Sequence, residues 1–265
     1  MENKTKGLNI LVLKIIAILT MTIDHIGYFL DYFNPLGNET IIYILRVIGR
    51  ISLPLIIFCL YEGVKHTSNL KKYILRLFIS FIITYLAITL IQLVFKFNFV
   101  TEGNIFLTLM MLSIFYYFYK NNKYLSFLSI LILVISFILK IPVALNQNEI
   151  SSNIFNIFNG LYGSYEITAT LLFIIFIFSE YLSNKFTINK FSSFTSQKIY
   201  IVFFMLFLSL IYTLLTKLNC YSTFIVYLSE LSIQSYFVLS SIFILFYNKL
   251  LGYKAKKIKY LFYRG

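Results

Sequence analysis

The chain has 265 residues, 59% of them hydrophobic and 12% charged, with a formal net charge of +13 and a mean hydropathy of +0.82. Soluble domains carry about 45–50% apolar and about 25% charged residues, so this composition excludes an ordinary soluble fold. It predicts an all-α, polytopic transmembrane helix bundle forming a single domain over 1–265. A surplus of cations in a soluble protein would suggest nucleic acid; here the cations sit in short loops between apolar runs, where they set topology. Cys59 and Cys220 are isolated and far apart, which gives neither a disulfide framework nor a metal-type spacing.

Eight segments approach the ~20 residues a bilayer core requires: about 10–31, 41–63, 73–95, 104–119, 124–145, 161–182, 199–217 and 222–247. The first is too long for a cleaved signal peptide and has no small-x-small cleavage site after it. Alternate loops are rich in lysine and arginine. One set holds Lys4 and Lys6, Lys65 to Arg76, Lys120 and Lys123, Lys185 to Lys198, and Lys249 to Arg264; the opposite set has Lys96, Lys140 and Lys217. This alternation predicts cytoplasmic N- and C-termini and a multi-pass protein of the bacterial cytoplasmic membrane. The loop at 146–160 is the longest polar stretch and is expected outside, as a solvated loop or a short surface helix. No internal repeat and no Pro/Gly/Ser linker divides the chain.

The first segment carries an acid and an imidazole, Asp24 and His25, more than two turns inside an apolar run. An ionisable group at that depth costs roughly 3 kcal/mol unless it is paired or faces water. His25 is the natural general base. Asp24 lies about 100° around the helix from it, so it either orients the imidazole or pairs with an arginine of the second helix. Lys14 precedes His25 by eleven residues, three turns almost without drift. The two share a stripe and stand roughly 16 Å apart. Lys14 either snorkels to the headgroups or holds the phosphates of a long donor whose thioester reaches His25. A metal site needs more ligands than one Asp and one His, and His66 belongs to the opposite face; no metal is expected.

In the second segment Arg46 and Arg50 are one turn apart and need an anionic partner: Asp24, Glu166, Glu230 or a substrate anion. Gly49 permits close approach of a neighbour. Pro54 removes the bond to the Arg50 carbonyl and predicts a kink in one continuous helix. Glu62 and His66, one turn apart, either touch a donor headgroup or cap the helix end. Asn104 opens the fourth segment, Tyr165 and Glu166 sit just inside the sixth, and Glu230 and Gln234 are one turn apart in the eighth. Polar groups from several helices at one depth predict a cavity. The 22 Tyr and 29 Phe read as lipid-facing surface and interfacial belts.

The run K-I-I-A-I-L-T-M-T-I-D-H-I-G (14–27), followed by R-V-I-G-R-I-S-L-P-L-I-I-F-C-L-Y-E-G-V-K-H-T-S-N-L-K-K-Y (46–73), resembles the TraX family. That family is named for the pilin acetylase of conjugation systems and is similar to the wider group of integral-membrane acyltransferases. The likeness is dense over about 10–78, thins to G-N-I-F-L-T-L at 103–109 and Tyr165, and returns as K-Y-L-F-Y at 259–263. It implies acetyl-CoA as donor and an acceptor amine or hydroxyl, of a peptide or glycan, met within the membrane or on its outer side. It matches His25 to a histidine regarded as catalytic and Lys14 to the basic residue eleven positions before it in that wider group. Asp24, Arg46, Arg50, Glu62 and Thr67 fall on motif positions. Two departures stand out. Ser164-Tyr165-Glu166 replaces an expected Asp-Tyr-Gly, and the chain ends at Arg264-Gly265 where the family continues into Tyr-Pro-x-His.

The expected function is therefore an acetyl-CoA-dependent acyltransferase. His25 and Asp24 form its catalytic pair, and Lys14, Arg46, Arg50, Glu62, Thr67, Asn104, Tyr165, Glu166 and Glu230 are its donor- or acceptor-binding groups. Its partners are acyl-CoA, a peptide or glycan acceptor and membrane lipids, not nucleic acid. The alternatives are a small proton-coupled transporter using Asp24, His25 and Arg50 as a relay, and an inactive membrane scaffold.

Overall fold

The computed structural model describes residues 7–33, 38–95, 104–121, 165–188, 191–217 and 234–250. The helices are α1 (Ile10–Phe33), α2 (Glu39–Gly49), α3 (Ser52–His66), α4 (Leu70–Phe95), α5 (Ile105–Asn121), α6 (Glu166–Lys185) and α7 (Ser193–Lys217). A 3-10 turn, Ser235–Ser240, runs into the short α8 (Ser241–Leu245). No strand occurs among the described residues, which hold one isolated parallel β-bridge between Leu8 and Tyr247.

Five stretches are long and apolar enough to cross a membrane: Ile10–Asp31, Glu39–His66, Leu70–Leu90, Ile167–Lys185 and Ser193–Lys217. The predicted fourth segment forms α5, whose 17 residues fall short of the ~20 that span a bilayer core. The predicted fifth segment and the 146–160 loop lie outside the described residues, as does the first half of the predicted eighth. The surfaces of the long helices agree with a lipid setting. Leu75, Ile79, Ile83, Leu86 and Leu90 expose one row along α4, and Phe203, Leu206, Leu210 and Leu214 another along α7. Contiguous apolar rows of this size are avoided on proteins that meet water.

Helix boundaries follow from side-chain caps. The Asn38 amide oxygen accepts from the N–H groups of Thr40 and Ile41 at 3.1 and 3.4 Å, starting α2. Asn69 accepts from Lys72 N–H at 3.0 Å and starts α4. Ser192 accepts from Thr195 N–H at 3.2 Å and starts α7. Each satisfies an N–H that the first helical turn leaves unbonded. Within the spans, Thr20, Thr84, Thr89 and Thr213 donate back to carbonyls one turn earlier, so their hydroxyls are satisfied without a partner helix.

The sequence predicts one kinked helix over 41–63. The structure keeps one membrane-length stretch, Glu39–His66, and places the disturbance at Arg50 and Ile51, between the end of α2 at Gly49 and the start of α3 at Ser52. Arg50 N–H turns to Arg46 and Val47, and Ile51 N–H to Ile48, all at 3.2 Å. Pro54 has no N–H to give the Arg50 carbonyl, and its ring crowds that turn. The disruption is enough to part the helix, because Pro54 is well tolerated in the first turn of a new one.

The chain divides into two compact units. The first comprises Met1–Tyr61 and Ile174–Arg264, the second Glu62–Phe173. In the first, α1 presents a buried stripe of Ile10, Leu13, Ala17, Thr20 and Asp24, with the buried Gly27 one turn further. Phe58 lies edge-on to Phe176 and Tyr247, with centroids 5.4 and 5.3 Å away. In the second, Phe115 and Tyr116 both stand edge-on to Phe173 at 6.3 Å, beside buried Leu109, Leu112 and Phe81. Lipid tails are as apolar as these side chains, so close packing rather than water exclusion holds such helices together.

Candidate active site

The first unit gathers Asp24, His25, Arg46 and Arg50 where α1 crosses α2. Gly49 makes the crossing possible: a Cβ built there would overlap the Asp24 side chain. On α1, a Cβ at Gly27 would stand 3.0 Å from Leu45 Cβ and 3.4 Å from Arg46 Cδ. The two glycines therefore let the backbones approach, and the Asp24 carboxylate rests on the bare backbone of Gly49.

Arg46 and Arg50 flank that glycine on the same face of the second segment. Arg46 Nη1 is 3.1 Å from Asp24 Oδ2, and Arg50 Nη2 is 4.0 Å from Asp24 Oδ1. Both carboxylate and guanidinium groups are largely buried. Arg46 also lies over the Tyr28 ring, 5.5 Å from its centroid. The formal charges of these three ionic groups sum to one positive charge, which favours an approaching anion.

His25 follows Asp24 on α1, about 100° further around the helix. Its Nδ1 is 2.8 Å from the Met21 carbonyl oxygen. A carbonyl only accepts, so Nδ1 carries the proton and the neutral ring keeps its lone pair on Nε2. The side chain is exposed. The imidazole is thus held by its own helix, and of the two arrangements left open for Asp24 the structure has the pairing with the arginines of the second segment. Lys14 shares the unbroken α1 with His25 and is half-buried, close enough to the Cys59 sulfur for the two to interact electrostatically.

A second polar group in the same unit escaped the sequence reading. The Tyr61 hydroxyl donates to Glu180 Oε2 and accepts from Gln197 Nε2 at 3.3 Å. Tyr61 is fully buried, and its hydroxyl ties α3 to α6 and α7. Glu180, an acid inside an apolar span, was the signal available for it.

The remaining predicted residues belong to the second unit or lie beyond description. Glu62 is buried and 3.5 Å from His66 Nε2 across one turn at the end of α3. Thr67 follows directly, its N–H bonded to the Gly63 carbonyl at 3.0 Å. Asn104 is buried and structurally committed: its Oδ1 accepts from Phe106 N–H at 3.0 Å, and its Nδ2 donates to the Phe81 carbonyl at 3.3 Å. Tyr165 stands just before α6, not inside it, with φ of +54°, a conformation unfavourable for a bulky L-residue. Glu166 opens α6, but its side chain lies outside the described residues, as does Glu230. Among the described residues no group of three or more His, Cys, Asp or Glu could hold a metal ion.

The motif blocks now have positions: the first runs through α1 to the Asp24–Arg46 pair, and the second carries α2, α3 and the turn after them. A family model described as TraX protein matches residues 10–265. The chain belongs to the TraX family. Comparisons with curated proteins and with solved structures return no match. The TraX match extends through the segments where the motif resemblance thins, so the departure at Ser164-Tyr165-Glu166 is a variation within the family's span.

Proposed function

We propose that this TraX-family chain is an integral-membrane acetyltransferase. It moves an acetyl group from cytoplasmic acetyl-CoA to an amine or hydroxyl of a membrane-associated or exported acceptor, a peptide N-terminus or a glycan. The observation that carries the reading is the His25 imidazole, protonated on Nδ1 by its bond to Met21 and open at Nε2. A base presented this way takes the proton of an acceptor N–H or O–H while the acceptor attacks the thioester carbonyl. The protonated ring then returns the proton to the departing CoA thiolate. The surplus positive charge of Arg46, Arg50 and Asp24 suits the developing oxyanion or a substrate anion. Lys14, on the same stripe of α1, suits the donor phosphates. Acetyl-CoA and the acceptor are co-substrates, and the reading needs no metal.

The test is acetyl transfer from labelled acetyl-CoA by the full chain in lipid, with and without His25→Ala. General-base catalysis contributes typically 10²–10⁴-fold, so the variant should lose about that factor while its thermal midpoint stays near the parent's. Full transfer by His25→Ala removes the proposed base. Substrate uptake into vesicles without CoA dependence would replace the enzyme with a transporter.

A further inference from the structure

Away from the Asp24 cluster, two lysines from different elements converge on one ring. Lys198 Nζ, on α7, is 4.8 Å from the Phe194 centroid, and Lys249 Nζ, after α8, is 4.2 Å from it. The two ammonium nitrogens therefore lie no more than about 9 Å apart, comparable to the screening length of ~8 Å at physiological salt. Each gains from the ring face, but their mutual repulsion works against the arrangement. No carboxylate pairs with either among the described residues.

The surrounding backbone enforces the placement. Lys198 Nζ donates to the carbonyls of Leu245 and Tyr247 at 2.7 and 3.1 Å, which leaves one of its three N–H groups for a ligand. Lys249 adopts φ of +64°, a left-handed conformation that costs a lysine energy. Its neighbours hold it there: Asn248 N–H bonds the Leu8 carbonyl at 2.9 Å, Ile10 N–H bonds the Leu250 carbonyl at 2.9 Å, and Leu250 N–H bonds Asn248 Oδ1 at 3.0 Å. Strain of this kind persists where the surroundings over-determine it and often marks a binding site.

We propose that Lys198 and Lys249, set against Phe194, form a phosphate-binding clamp where the two described chain ends meet. Two ammonium groups held this close, with one N–H of Lys198 unspent and Lys249 exposed, are satisfied together by a phosphate oxyanion. The phosphate has two sources, the phosphates of a CoA donor or the headgroup of an anionic lipid. The donor source rests on the acyltransferase reading; the lipid source does not.

The experiment uses the full chain in nanodiscs. In phosphatidylcholine discs, CoA binding is measured by calorimetry; in discs containing phosphatidylglycerol, the rise in thermal midpoint over phosphatidylcholine is measured. Both are repeated with Lys249→Gln and with Lys198→Gln/Lys249→Gln. The double variant should lose tenfold or more in CoA affinity, or most of the phosphatidylglycerol stabilisation, and the affected arm names the source. Because Lys198 also braces two carbonyls, Lys249→Gln alone is the guard against misfolding; it should show at least a threefold loss in the same arm. Wild-type behaviour of both variants in both arms overturns the clamp and leaves the acyltransferase reading intact. A wild-type chain that binds no CoA removes the acyltransferase reading, and the lipid arm then decides the clamp.

Discussion

The tight approach of α1 to α2 makes the sharpest prediction, Gly49→Ala. An added methyl at Gly49 overlaps both the carboxylate and the Cβ of Asp24, so a rotamer change of Asp24 cannot relieve it and α1 must move from α2. Overpacking of a close contact costs about 1–3 kcal/mol. Moving Asp24 also stretches its 3.1 Å pair with Arg46, whose partners are each only 13% exposed; breaking a buried ion pair costs about 3–5 kcal/mol. These costs overlap, because one movement produces both, and the loss should be roughly 2–5 kcal/mol. At about 2–4 °C per kcal/mol for a chain of this size, the thermal midpoint in detergent should fall by about 4–20 °C. Asp24→Ala should not rescue it, since the Asp24 Cβ remains in the way. Gly27→Ala should be milder, because its nearest contact is a side-chain atom at 3.0 Å. A Gly49→Ala chain as stable as its parent, or one restored by Asp24→Ala, would refute the packing argument.

Tyr61→Phe removes the hydroxyl that Glu180 and Gln197 share and should cost about 1–3 kcal/mol; a thermal midpoint within a degree of the parent's would show that the tie carries no stability. Asn104→Ala removes both the α5 cap and the tie to Phe81, costing about 1–2 kcal/mol. CoA affinity, measured by calorimetry, should stay unchanged, and a selective loss of affinity would return Asn104 to the binding groups. Arg46→Ala should destabilise more than Arg50→Ala, because its nitrogen is nearer Asp24; the opposite order of thermal midpoints would contradict that geometry.

The helical, membrane-embedded class was legible because composition alone enforces it. The partnership of Asp24 with arginines was legible too: charges buried in an apolar run need counter-charges, and only a few were within reach. What stayed hidden was direction. A sequence gives the angle between Asp24 and His25 on a helix but not which neighbour lies beneath each. The sequence therefore left open a carboxylate orienting the imidazole, where the structure uses the Met21 carbonyl. The capping role of Asn104 was not separable from a site role in the sequence, because polar groups at helix starts and polar groups in cavities use the same side chains. Pro54 predicted a disturbance at the right carbonyl, yet whether the helix bends or breaks depends on the packing either side. The Tyr61 tie left only the Glu180 acid as a signal, because its two partners stand 119 positions apart.

The pairing of Leu8 with Tyr247 also has a meaning in time. The segment that leads into α1 is made about 240 residues before its hydrogen-bonding partners at 246–250. At about 5–20 residues per second of synthesis, the start of α1 waits roughly 10–50 s before its backbone groups find their mates. Membrane insertion of α1 therefore precedes the closure that fixes its end. That closure is a late step, one a chain halted before residue 246 never reaches.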